Sequence, residues 1–321
     1  MVTRRGGALA LLLSLVFLGA LAFGALAVDP LGAFRAFQLA TLRRAGAHEE
    51  FFAGSDGRRL HAWVVGPLSA EVPVVLLHGL GASSDYWTGT ARWLVRQGRT
   101  VILPDAPGSG ESEAPRLASG WGLPARVSAV RSLVSALGLS RVDLVGHSLG
   151  GWTAGAYALA EPLHVRRLVL VDAGGFFLPP GRSDDELRDE LVPATRSGGR
   201  RLMDLLFFRR PFPVPGVVAD ALASNYRLPN VKATVEALGR EDQLVGRESE
   251  LPEGTVLVWG ERETLFPVDG ARAVLPLLRK GRLLVVRGVG HDGPLEDPGA
   301  FREALAAALE GRALTVPGSP R

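Results

Sequence analysis

The chain has 321 residues, 47% hydrophobic and 21% charged, enough to bury the core of one large α/β domain carrying an insertion. It contains no cysteine, which excludes thiol catalysis, disulfides and cysteine-ligated zinc. The formal charge is +3, but the arginines are scattered and Lys232 and Lys280 are the only lysines, so there is no cationic stripe interleaved with aromatics and no nucleic-acid partner is expected.

Residues 8–28, ALALLLSLVFLGALAFGALAV, carry no charge and follow Arg4 and Arg5. As a helix they would extend about 31 Å, enough to cross a bilayer core. Residues 1–28 are therefore read as a membrane segment, a single N-terminal span that anchors the protein. The alternative is export after signal cleavage, because Ala25-Leu26-Ala27 resembles a small-x-small cleavage site. Residues 29–48 follow as a mildly amphipathic, basic juxtamembrane helix or linker.

Residues 49–53 and 59–65 are β-type runs separated by Gly54-Ser55-Asp56-Gly57, whose Asp-Gly step favours a hairpin. Residues 74–77, 100–103, 142–145, 168–171, 255–258 and 283–286 are short apolar, β-branched runs with helical periodicity between most of them. That alternation predicts an α/β fold with a mostly parallel, twisted sheet flanked by helices on both faces. The interval of about 80 residues between Val171 and Thr255 is too long for an ordinary connection and is punctuated by prolines. It reads as an inserted helical cap over residues 176–250, leaving residues 49–175 and 251–312 as the core.

The candidate chemistry sits where these strands end. After the run at 74–77 comes His78-Gly79-Leu80-Gly81, whose glycines let the chain turn its amides inward; the Leu80 N–H is a candidate oxyanion donor. After the run at 142–145 comes Gly146-x-Ser148-x-Gly150, followed by helical sequence. A serine on a tight strand-to-helix turn needs small flanking residues and lies at the positive end of the helix, so Ser148 is the candidate nucleophile and the Leu149 N–H the second oxyanion donor. His147, the residue before it, is read as facing away. Among six histidines, His291 follows the last strand between Gly290 and Asp292-Gly293, in a loop able to reach the carboxyl edge of the sheet; it is the candidate base. The cap stretch Leu202-Met203-Asp204-Leu205-Leu206-Phe207-Phe208, followed by Arg209-Arg210, is either a helix packed on the core or a lipid-facing lip.

HGLG, VILPDAPGSGES, VGHSLGG and GVGHDGPLEDP, in this order, resemble the α/β-hydrolase superfamily over roughly residues 49–310. The resemblance is closest to esterases, lipases and acylglycerol lipases with an N-terminal membrane segment, and it extends to Asp85-Tyr86-Trp87. It implies an α/β-hydrolase fold, a catalytic triad and no cofactor or metal. The family pattern Trp-Gly-x-x-Asp-x-x-x-Pro falls on Trp259 to Pro267 with Glu263 in the aspartate's place, so the resemblance assigns Glu263 as triad acid, with Asp172 at the end of an earlier strand as rival and Glu261 as a solvated neighbour. The expected activity is hydrolysis of a small-molecule ester or lipid, medium-chain or lipid-like. Cleavage of another bond by the same triad and a non-catalytic, membrane-tethered binding protein are the alternatives.

Overall fold

The computed structural model describes residues 29–67, 72–176, 183–210 and 216–313. Eight strands form one sheet: β1 (His48–Ala53), β2 (Arg59–Val65), β3 (Val74–Leu77), β4 (Val101–Pro104), β5 (Val142–His147), β6 (Val165–Val171), β7 (Val256–Gly260) and β8 (Arg282–Val286). Their order is β1-β2-β4-β3-β5-β6-β7-β8. The β1–β2 hairpin is antiparallel, β2 runs antiparallel to β4, and every later pair is parallel.

The continuous apolar runs of β3 to β7 follow from burial on both faces. Alternate side chains enter opposite cores. Val75, Ile102, Leu144, Leu168, Leu170 and Leu257 join one apolar cluster, while Val74, Val101, Val145, Val169, Val171 and Val258 join the other. The first face is covered by α3 (Leu123–Ala136), α4 (Leu149–Ala160) and α9 (Val268–Val274), and the second by α1 (Pro30–Arg44), α2 (Thr88–Arg96) and α11 (Pro298–Glu310). Helix α1 starts with Pro30 behind Asp29, whose carboxylate accepts the Gly32 N–H at 2.9 Å. Its Leu42 is fully buried in the second core, so this part of the stretch preceding β1 is folded against the sheet.

Between β6 and β7 lie α5 (Asp184–Leu191), α6 (Arg196–Leu206), α7 (Gly216–Tyr226) and α8 (Pro229–Ala237). Helix α5 opens with a reciprocal Ser183–Glu186 capping box. Leu202, Leu206, Tyr226 and Val231 form a small separate core with Leu80 against it. The short α10 (Gly293–Glu296) links the loop after β8 to α11.

No helix among the described residues is long and apolar enough to cross a membrane, and the expected span at residues 8–28 lies outside the described residues.

Candidate active site

Strand pairing decides which loops meet. β3 and β5 are parallel neighbours with Leu77 opposite Gly146, so the turn bearing Leu80 and the one bearing Ser148 leave the sheet side by side. They flank the point where chain order reverses, the usual crevice of an open α/β sheet. On the other side, β7 and β8 pair with Gly260 opposite Val286, which brings the loops of Glu263 and His291 together.

Ser148 links β5 directly to α4 with φ 55° and ψ −120°, a rare backbone conformation for a non-glycine residue. The surroundings hold it: its N–H donates to Val171 O at 2.9 Å, and its carbonyl accepts from Trp152 at 3.0 Å and Gly174 at 3.2 Å. The flanking glycines are a steric requirement. A Cβ on Gly146 would collide with the Gly150 backbone, and one on Gly150 with the Leu77 carbonyl.

His291 is 2% exposed, and its Nδ1–H donates to Glu263 Oε2 at 2.5 Å. Glu263 Oε1 accepts the N–H groups of Leu265 and of Phe266, the latter at 3.0 Å, so each carboxylate oxygen is occupied. Burial disfavours the His291 cation, but the Glu263 charge and hydrogen bond, with help from Asp292 and Asp172, outweigh it and push the ring up to about 9.

The two other carboxylates do different work. Glu261 is exposed, accepts the Gly288 N–H at 3.0 Å and lies 3.8 Å from the Arg262 guanidinium. Asp172 is buried with φ 41° and accepts the Gly260 N–H at 2.8 Å, tying the end of β6 to the end of β7. Burial and the neighbouring Glu263 charge hold Asp172 well above the usual carboxylate range.

Leu149 opens α4, where a helix amide has no intrahelical acceptor. The Leu80 N–H has no partner among the described residues. Gly79 brings this turn against the elbow: a Cβ there would stand 3.2 Å from Ser148 Cβ. His78 Nδ1–H donates to Gly79 O at 2.8 Å and its Nε2 accepts the Ala106 N–H at 3.1 Å, which defines the neutral tautomer.

His147 corrects the expectation that it faces away. Its Nε2–H donates to the His291 carbonyl at 2.9 Å, its ring centroid lies 4.8 Å from that of His291, and Tyr86 stacks on it at 5.1 Å. Burial, reinforced by the nearby His291, keeps His147 well below the ordinary histidine range and so neutral. Tyr86 also donates to Asp292 Oδ1 at 2.9 Å, joining the turn after β3 to the loop of His291; burial pushes Asp292 up to about 6. Asp85-Tyr86-Trp87 was the visible trace of this support, but the partners come from far along the chain.

Leu80, Ser148, Leu149 and His291 line one cavity of about 140 Å³. Its remaining wall is largely apolar, with Trp152, Phe176, Leu187, Leu191, Leu206 and Phe266, while Arg188 and Arg240 also border it. The Ser148 hydroxyl has no hydrogen-bond partner among the described residues; such contacts commonly tighten only with substrate in place. Among these residues no group of three or more His, Asp or Glu side chains is arranged to hold a metal ion.

The family model described as alpha/beta hydrolase fold matches residues 72–298, more than half of the chain. Lipase 1 of Psychrobacter immobilis is 26% identical over 257 residues, covering 74% of this chain and 79% of the lipase. The 2-hydroxy-6-oxononadienedioate/2-hydroxy-6-oxononatrienedioate hydrolase of Escherichia coli strain ED1a is 29% identical over 246 residues, covering 72% and 85%. Among solved structures, a membrane phospholipase A described as a bacterial virulence factor superposes with a TM-score of 0.74 at 27% identity, covering 94% of this chain and 98% of its own. The sheet order, the strand-end site and the family match together make this chain a member of the α/β-hydrolase family.

Proposed function

We propose that the protein is a serine hydrolase of carboxylic esters with Ser148, His291 and Glu263 as its triad. The observation that carries this reading is the 2.5 Å hydrogen bond from His291 to Glu263 beside a cavity that also contains the strained Ser148. Ser148 Oγ attacks the ester carbonyl carbon while the His291 ring takes the hydroxyl proton, and Glu263 stabilises the imidazolium. The carbonyl oxygen becomes an oxyanion facing the Leu80 and Leu149 N–H groups. Collapse breaks the C–O bond, the alcohol leaves with the proton from His291, and water then hydrolyses the acyl-enzyme by the same steps.

The apolar wall supports a medium-chain or lipid-like acyl group, and residues 176–250 act as its cap. The charge-free stretch at 8–28 supports membrane attachment, to which the likeness to a membrane phospholipase adds. The E. coli relative favours a second reading, cleavage of a C–C bond by the same serine.

Treating the detergent-solubilised full chain and Ser148→Ala with a fluorophosphonate probe tests the nucleophile: labelling in the parent and none in the variant is expected. A p-nitrophenyl ester series tests the substrate, with turnover rising from acetate towards medium chains. Turnover of vinylogous diketones with inert esters would favour the second reading.

A further inference from the structure

The turn after β3 is held by three side chains, one on each successive carbonyl. His78 donates to Gly79 O at 2.8 Å, the Tyr226 hydroxyl to Leu80 O at 3.1 Å, and Asn225 Nδ2 to Gly81 O at 2.6 Å. In a planar trans peptide the N–H points opposite to the C=O, so fixing these carbonyls fixes the directions of the Leu80, Gly81 and Ala82 amides. His78 belongs to the turn itself. Asn225 and Tyr226 are the last residues of α7, in the insertion between β6 and β7, and reach it across more than a hundred positions of sequence.

The fit is close. Gly81 has φ 70°, and a Cβ there would stand 3.2 Å from the Tyr226 ring and 3.3 Å from Asn225 Nδ2. Tyr226 is buried, and its ring and Leu80 belong to the same small core. Tyr226 lines the substrate cavity, whereas Asn225 does not. A loop of glycines has little intrinsic preference for one orientation of its amides, so external donors are what select it.

We propose that Asn225 and Tyr226 are positioning residues for the oxyanion turn: the Leu80 N–H shares its peptide with the Gly79 carbonyl held by His78, and by holding the next two peptides of this glycine turn the seating of α7 keeps the Leu80 peptide from rotating away from the developing oxyanion. The proposal rests on the serine-hydrolase reading above. It makes transition-state stabilisation depend on the insertion while leaving the His291–Glu263 pair untouched.

The test uses the full chain in detergent with Asn225→Ala, Tyr226→Phe, which keeps the ring, and Asn230→Ala as control. Asn230 makes the same kind of tether from α8, donating to Gly108 O at 2.9 Å in the loop after β4 rather than to a carbonyl of the oxyanion turn. The readouts are kcat and KM on p-nitrophenyl butyrate and inhibition by an alkylboronic acid, whose tetrahedral serine adduct places an oxygen in the oxyanion position. Losing an oxyanion donor outright costs about 10² to 10³ in kcat, so misplacing one is expected to lower kcat about tenfold in each of the first two variants. KM should change little, boronate inhibition should weaken in step with kcat, and the Asn230 variant should match the parent. Unchanged kcat in both test variants, an effect confined to KM, or an equal loss in Asn230→Ala would overturn the proposal. Fluorophosphonate labelling of Ser148 in the parent separates the two levels: its absence removes the hydrolase reading and this inference together, whereas labelling with unchanged variant kcat removes the inference alone.

Discussion

Glu263 divides its two oxygens between a ring and a turn, and this accounts for a glutamate in a place where the resemblance leads one to expect aspartate. One oxygen meets His291 while the other accepts two amides of the loop that carries it, so the longer side chain is anchored at both ends of its carboxylate. Glu263→Gln is expected to lose about 10³ to 10⁴ in kcat, the range for disabling a triad carboxylate. Glu261→Gln should lose little, because that carboxylate is exposed and is engaged by the Gly288 amide and the neighbouring Arg262 rather than by His291. Asp172→Asn should also be mild, since an amide oxygen still accepts the Gly260 N–H and asparagine tolerates φ 41°; a collapse in this variant alone would transfer the acid role to Asp172.

The pH dependence follows from the same pair. His291 must be neutral to act as base, and its pKa is pushed up to about 9, so kcat/KM should rise with pH through the neutral range towards an alkaline plateau. Removing the Glu263 charge disfavours the imidazolium, so the acid limb of Glu263→Gln should move to lower pH, even as the maximum falls. Profiles of the two proteins on one ester check both the direction and the drop.

At the scale of elements, the elbow shows why the glycines around Ser148 are there. The start of α4 lies so close to the end of β5 and to the end of β3 that Gly146 and Gly150 each face backbone atoms where a Cβ would be, and backbone has no rotamer to move away. Gly146→Ala is therefore expected to cost at least about 3 kcal/mol, the upper part of the range for overpacking, read as a lower melting temperature. The loops after β3, β5, β6, β7 and β8 all project from the carboxyl edge, which is why residues spread from Leu80 to His291 share one site.

At the scale of the molecule, the helix leading into β1 is part of the folded body. Leu42 sits at 0% exposure beside Trp63 in the second core, while Phe37 on the same helix is 63% exposed. Leu42→Ala should cost about 2 to 5 kcal/mol of stability, as for other buried leucines, and Phe37→Ala about 0.5 kcal/mol or less. Chemical denaturation of the two variants measures the contrast. Helix α1 also packs on α7, whose last residues hold carbonyls of the turn after β3.

The family resemblance assigned Glu263, with Asp172 as rival, while local chemistry alone determined the strand and helix alternation, the elbow around Ser148 and the glycine turn at Leu80. Each of these depends on periods of two and 3.6 or on short steric demands that a few adjacent residues express. Tertiary structure decided what each group touches: Asp172 holds the Gly260 amide, His147 supports His291, Tyr86 reaches Asp292, and Asn225 and Tyr226 grip a turn formed far earlier in the chain. These are pairings between residues tens to hundreds of positions apart, and only strand order and helix seating bring them within hydrogen-bonding distance.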